Sequence, residues 1–145
     1  MRDTRQALKD FDDGKDSMLI DDMVNMNIML TGMVSDLSTG GKQLAVAHNF
    51  YDAVCCMYKD VRRKYLHGEI VAMALPLQLA VNGRPEAEIE ELKAFLREVG
   101  IPVSIREAGM PQDGLEELIT YVHRVTIPDD MELLEQIRDG FKYIM

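Results

Sequence analysis

Met23, Met26, Leu30, Met33 and Leu37 recur at steps of three and four residues, the spacing that lines up one face of an α-helix. Val24, Ile28 and Met29 add apolar positions beside that stripe. The stretch from about Asp16 to Leu37 therefore predicts a helix greasy on most of its sides, which belongs at the centre of a fold or at a subunit interface. Its methionines read as adaptable core filling rather than as a cofactor site, because an unbranched thioether fits irregular gaps. Ahead of it, Asp12-Asp13-Gly14-Lys15-Asp16 is a break, and the first eleven residues read as a polar helical arm.

Ser38-Thr39-Gly40-Gly41 interrupts the pattern as an inter-helix turn. A second helix is expected over Lys42 to Lys59, with Leu44, Ala47, Tyr51, Val54 or Cys55, and Tyr58 on one side. Asp60 to Tyr65 reads as a basic connector, and His67 to Asn82 as an apolar helix kinked at Pro76. Asn82-Gly83-Arg84-Pro85 stops that helix, with Pro85 suited to the first turn of the next. Ile89, Leu92, Phe95, Leu96 and Val99 then give an amphipathic helix ended by Gly100 and Pro102. Ile101 to Met110 is expected to be extended or irregular. Pro111 to Val125 reads as helical, and a last helix opens at Asp129 or Asp130 with Glu132 placed for a capping box. Six or seven helices with almost no strand signal predict an all-α, multi-helix bundle. Residues 1–15 would form the arm and residues 16–145 a single helical domain.

Composition narrows what such a bundle can do. The 145 residues carry a net charge of -9, which argues against a nucleic-acid or anionic-membrane surface, since phosphate binding needs clustered Lys and Arg. No run reaches the about 20 apolar residues that span a bilayer. Met1-Arg2-Asp3-Thr4-Arg5 does not open a secretory signal. The two cysteines, Cys55 and Cys56, are adjacent and make no disulfide framework, so a reducing, cytoplasmic location is expected. Gly40-Gly41 lacks the G-x-G-x-x-G spacing of a dinucleotide loop.

Candidate chemistry rests on His48 and His67. The small alanines around His48 let another helix approach, and the turn between the two helices can bring both imidazoles to one point. Imidazole suits zinc and iron. Spacing alone leaves the other reading open, in which each ring hydrogen-bonds a backbone carbonyl. His123, among Tyr121, Val122 and Arg124, reads as structural or exposed. Cys55 reads as a small buried hydrophobe, with no helix N-terminus or cluster of basic residues in evidence. Glu86-Ala87-Glu88-Ile89-Glu90-Glu91 reads as a solvated helix start, which the helix dipole favours.

Gly40-Gly41-Lys42-Gln43-Leu44-Ala45-Val46-Ala47-His48 is similar to the approach to a metal-binding histidine in glycerol dehydrogenases, members of the iron-containing alcohol dehydrogenase family. His67-Gly68-Glu69-Ile70-Val71-Ala72, followed by Gln78-Leu79, resembles that family's second histidine motif. Arg84-Pro85, Glu88-Ile89-Glu90 and Phe95 to Val103 continue the likeness, which runs from about Asp21 to the end of the chain. The resemblance implies the C-terminal helical domain of a two-domain enzyme whose N-terminal α/β domain binds NAD or NADP. By it, His48 and His67 would ligate a divalent metal, zinc or iron, acting as a Lewis acid on an alcohol oxygen.

The departures from that pattern are specific. No nucleotide domain is present, so NAD would come only through a missing or separate domain. The family's aspartate ligand cannot be placed; Asp52, one turn beyond His48, is either its substitute or a solvated or capping carboxylate. Phe50 and Tyr51 stand where relatives often carry a further histidine. Two readings follow. One is the metal-binding domain of an NAD-dependent glycerol or alcohol dehydrogenase, incomplete alone and partnered by an NAD-binding chain. The other is a non-catalytic helical interaction or dimerisation domain derived from that fold. Homo-oligomerisation is expected in either case, because loss of a neighbouring domain exposes apolar surface.

Overall fold

A computed structural model describes residues 2–37 and 45–145, with the side chains of 2, 31, 32 and 34–37 left aside. The expected turn at Ser38-Thr39-Gly40-Gly41 and the expected helix start at Lys42 lie outside the described residues. Those residues form α-helices joined by turns, with no strand among them, and the expected all-α class holds. Contacts divide the chain into two compact units, Met1–Gln43 and Leu44–Met145.

The first unit is a helical hairpin of α1 (Arg2–Asp12) and α2 (Met18–Leu37). The break between them is built on Gly14, whose φ of 65° lies in the left-handed region. The Lys15 N–H reaches the Asp10 carbonyl at 2.9 Å and the Gly14 N–H reaches Phe11 at 3.0 Å, which satisfies the last carbonyls of α1. The expected polar helical arm is thus helix α1, with Ala7 and Asp10 buried. The Asp10 carboxylate accepts from Ser17 Oγ at 2.9 Å and from Gln6 Nε2 at 2.8 Å. These bonds, that from Ser17 foremost, hold its pKa below the ordinary 3.8. Along α2, the side chains of Val24, Met26, Ile28, Met29, Leu30 and Met33 are exposed.

The second unit holds the core. Helix α3 (Val46–Met57) sits at its centre, packed on α4 (Lys59–Lys64), α5 (His67–Met73), α6 (Leu75–Val81) and α8 (Leu115–Thr126). Val46, Ala47, Phe50, Ala53 and Val54 form its buried face. They meet Ile70 and Leu77 from α5 and α6, and Leu118, Ile119 and Val122 from α8. Helix α7 (Glu86–Glu98) lies against α6 through Ile89 and Leu96. Helix α9 (Met131–Gly140) and a single 3₁₀ turn, Phe141–Tyr143, complete the unit. Phe141 places its ring 6.2 Å from that of Phe50. Gly140 permits the close approach of α9 to α6: a Cβ there would lie 2.8 Å from Leu77 Cδ1.

Several boundaries depart from expectation, each for a local reason. The basic connector over 60–65 is helix α4, tied to the core by buried Val61. The expected kinked helix over 67–82 is two helices. Pro76 has no N–H to offer Ala72, and the chain tightens so that the Ala74 N–H bonds Val71 at 3.1 Å. Ile101 to Met110 is irregular, yet Val103, Ile105, Ala108 and Met110 are buried, and the Ile105 N–H reaches the Ile144 carbonyl at 2.7 Å. The helix expected from Pro111 begins at Leu115. The last helix is capped by Asp130, whose Oδ1 accepts the Leu133 N–H at 2.9 Å. Glu132 is then the second helical residue, one short of the capping-box position.

Two outcomes test this packing. Phe141→Ala should cost about 3–5 kcal/mol, read as a lowered urea midpoint in far-UV circular dichroism. For Asp10 the folded-state pKa is depressed, so its contribution is present above the unfolded value and is lost as pH falls through the folded one. At neutral pH, Asp10→Asn should therefore speed amide exchange in α1 relative to wild type. The two proteins should converge once acid has protonated the wild-type carboxyl.

Candidate functional site

His48 is the third residue of α3 and His67 the first of α5. Helix α3 must turn Phe50 and Val54 inward, which leaves His48 on its exposed side. Helix α5 buries Ile70 and Met73, and its exposed first residue, His67, comes to lie beside His48. The two ring centroids are 5.6 Å apart, tilted at 49°. The packing of α5 on α3 thus brings together the two histidines singled out in the sequence.

Tyr51 and Arg62 stand next to this pair. The Tyr51 ring meets His67 edge to face, with centroids 4.2 Å apart at 70°. Arg62, from α4, donates from Nε to the Tyr51 hydroxyl at 3.0 Å and lies 5.5 Å from the centre of that ring. A second guanidinium nitrogen donates to the Tyr65 carbonyl at 3.4 Å. The Tyr51 phenol is held above its ordinary pKa, first by its hydrogen bond with the Cys55 thiol and then by desolvation, while Arg62 pulls it down. Arg62 in turn is raised, chiefly by the hydrogen bond to Tyr51. Cys55 is half-buried, and α4 brings one basic side chain, Arg62, near it on this side of α3.

The backbone beneath the pair is secured by groups from other helices. No side chain of the preceding residue caps α3; instead Gln78 Oε1, from α6, accepts the Ala47 N–H at 3.2 Å. Asn49 donates to Thr126 Oγ1 at 2.7 Å, which ties α3 to α8. At α5, the Glu69 carboxylate accepts the Leu66 N–H at 2.6 Å. Arg62 carried no sequence signal of its own, since it sits in a run of surface charge; Gln78 entered only through the family likeness of its stretch.

The third histidine behaves differently. His123 is 6% exposed, and its Nε2–H donates to the Asp130 carbonyl at 2.7 Å, which fixes the tautomer. Of its two expected readings, the structural one holds.

As a metal centre the pair is suited but short of ligands. Two imidazoles bound to one zinc at about 2.0–2.1 Å place their ring centroids roughly 5–6 Å apart, and 5.6 Å falls in that range. Among the described residues, however, no three His, Cys, Asp or Glu side chains gather as a metal site. Asp52 is exposed and does not gather with the two imidazoles into such a group. The Cys56 sulfur likewise faces Tyr121, 3.4 Å from its hydroxyl. None of the described helices is long and apolar enough to cross a membrane.

An all-α bundle with two facing surface imidazoles defines a broad class. One comparison narrows it. Over 82 residues, 57% of the chain, the sequence is 33% identical to a glycerol dehydrogenase from Thermotoga maritima. The match covers 21% of that enzyme, so the chain spans about a fifth of its relative's length. This likeness supports an alcohol-dehydrogenase-like origin. No family model matches the chain, and no solved structure does.

Stability separates the histidines. His48→Ala should change unfolding free energy by less than about 0.5 kcal/mol, as for an exposed position. His123→Ala should cost about 1–3 kcal/mol, since it strips a part-buried carbonyl of its donor. Urea unfolding of both variants measures the contrast.

Proposed function

We propose that the chain is the helical metal-binding part of a glycerol- or alcohol-dehydrogenase-like oxidoreductase, with His48 and His67 as two ligands of a divalent metal, zinc or iron. The observation that carries this is the pairing of two exposed imidazoles, 5.6 Å apart, across α3 and α5. The partial likeness to a glycerol dehydrogenase supports it. When bound, the metal supplies Lewis acidity toward an alcohol oxygen. His48 and His67 hold it as neutral donors from two rigid helices, and the exposure of both rings leaves them open to a ligand from another domain or chain. A catalytic zinc uses three protein ligands, so a further ligand and the NAD-binding fold would be supplied by another domain or a partner chain, whose nicotinamide would carry the redox chemistry.

A second reading is favoured by α2. Met26, Ile28, Met29, Leu30 and Met33 are all half or more exposed, an arrangement suited to a helical interaction or dimerisation element.

Metal analysis decides between them. The purified chain, exposed to zinc or ferrous iron and then desalted, should retain metal. His48→Ala and His67→Ala should each lose it while keeping wild-type helicity. A wild-type chain that takes up neither metal, in a dimer that dissociates when Met29 and Met33 are replaced by Glu, would establish the interaction reading instead.

A further inference from the structure

We propose that Arg62 and Tyr51 form a positioning clamp that fixes the His67 imidazole opposite His48. The inference rests on reading that pair as a metal site and assigns the residues that orient it. An exposed histidine at the first position of a short helix has no intrinsic reason to hold one rotamer, and ordering it costs side-chain entropy. Here two separate restraints act on it, and both pass through one guanidinium.

The first restraint is on the ring. Tyr51 is half-buried, and its ring stands edge to face with His67 at 4.2 Å, an arrangement favoured by the aromatic quadrupoles. The Tyr51 hydroxyl is anchored by Arg62 Nε at 3.0 Å, so the phenol cannot swing away without breaking a charge-assisted bond. The second restraint is on the backbone. Tyr65 and Leu66 are extended, the hinge between α4 and α5, and His67 follows directly. Arg62 Nη1 donates to the Tyr65 carbonyl at 3.4 Å and so ties that hinge to the Tyr51 side of α3. Glu69 secures the next N–H, that of Leu66.

Only arginine serves both points together. Its planar fork directs N–H groups along separate fixed lines, whereas a lysine ammonium is a single point on a flexible stem. The chain carries 25 acidic against 16 basic residues, yet the Arg62 bonds to a side chain and a backbone group described above go to a phenol and a carbonyl, not to a carboxylate. That use fits an arginine recruited for geometry. Outer groups that orient a metal-ligating histidine typically change metal affinity by about 10–100-fold when removed.

The wild-type chain is compared with Arg62→Gln, Arg62→Lys, Tyr51→Leu and Tyr51→Phe, with helicity and urea midpoint measured for each. Two readouts are taken: the ring-proton NMR shifts of His67 in the metal-free protein, and zinc affinity by competition with a chromophoric chelator. In wild type the His67 shifts should be displaced from those of a free imidazole by the Tyr51 ring. Arg62→Gln and Tyr51→Leu should move them back and weaken zinc by about 10–100-fold without loss of helicity. Tyr51→Phe, which keeps the ring, should lose less affinity than Tyr51→Leu, and Arg62→Lys should not restore what Arg62→Gln loses. His67 shifts and zinc affinity unchanged in both folded variants would overturn the clamp and leave the metal site standing. A wild type that takes up no zinc, while its His67 shifts still respond to both variants, would overturn the metal reading and with it the clamp's proposed purpose.

Discussion

Helix α3 must keep Val46, Phe50, Ala53 and Val54 out of water while leaving His48 and Asp52 in it. That requirement organises the second unit. Burying one face of a twelve-residue helix needs neighbours on more than one side, and α5, α6 and α8 supply them. Because Ala47 and Ala53 are small, those neighbours come close. The face left to water is then bordered by the start of α5, and His67 arrives there as a consequence of packing that its own neighbours Ile70 and Met73 drive. The hydrophobic core thus sets the imidazole pair, which makes no contribution to the core itself.

The polar bonds around the pair serve the same arrangement. The start of α3 exposes backbone N–H groups that need acceptors, and Gln78 reaches from α6 to meet one of them. Arg62, Tyr51 and the Tyr65 carbonyl join α4, α3 and the hinge before α5. The Gln78 and Arg62–Tyr51 bonds cross between helices, and the bond to Tyr65 holds the end of α4. They carry modest energy singly, but they restrict how the helix ends can move, and helix ends are where both histidines lie.

The two units differ in what stabilises them. The second has a buried aromatic and aliphatic core around Phe50, Ile137 and Phe141. The hairpin of α1 and α2 buries Ala7 and Asp10 and depends visibly on local chemistry: a left-handed glycine at its turn and a carboxylate held by Ser17 and Gln6. Its long second helix presents methionines outward, flexible side chains that adapt to varied partners. The period-3.6 pattern there was legible as helix, but period alone does not say whether an apolar face meets a core or solvent.

What the sequence determined by itself was local. Apolar spacing gave the helical character of α2, α3, α7 and α9, and Gly14 and Gly100 marked where helices stop, because these signals act over one or two turns of chain. Residue type singled out His48 and His67. Tertiary structure decided the rest. Pro76 divided one expected helix in two, α4 replaced a connector once Val61 found a core to enter, and Asp52 did not join the imidazoles in a three-ligand group. The separation of the two rings and the use of Arg62 depend on how α3, α4 and α5 lie across one another. Those positions follow from burying side chains distant in sequence, a balance summed over the whole unit, which no short stretch of residues encodes alone.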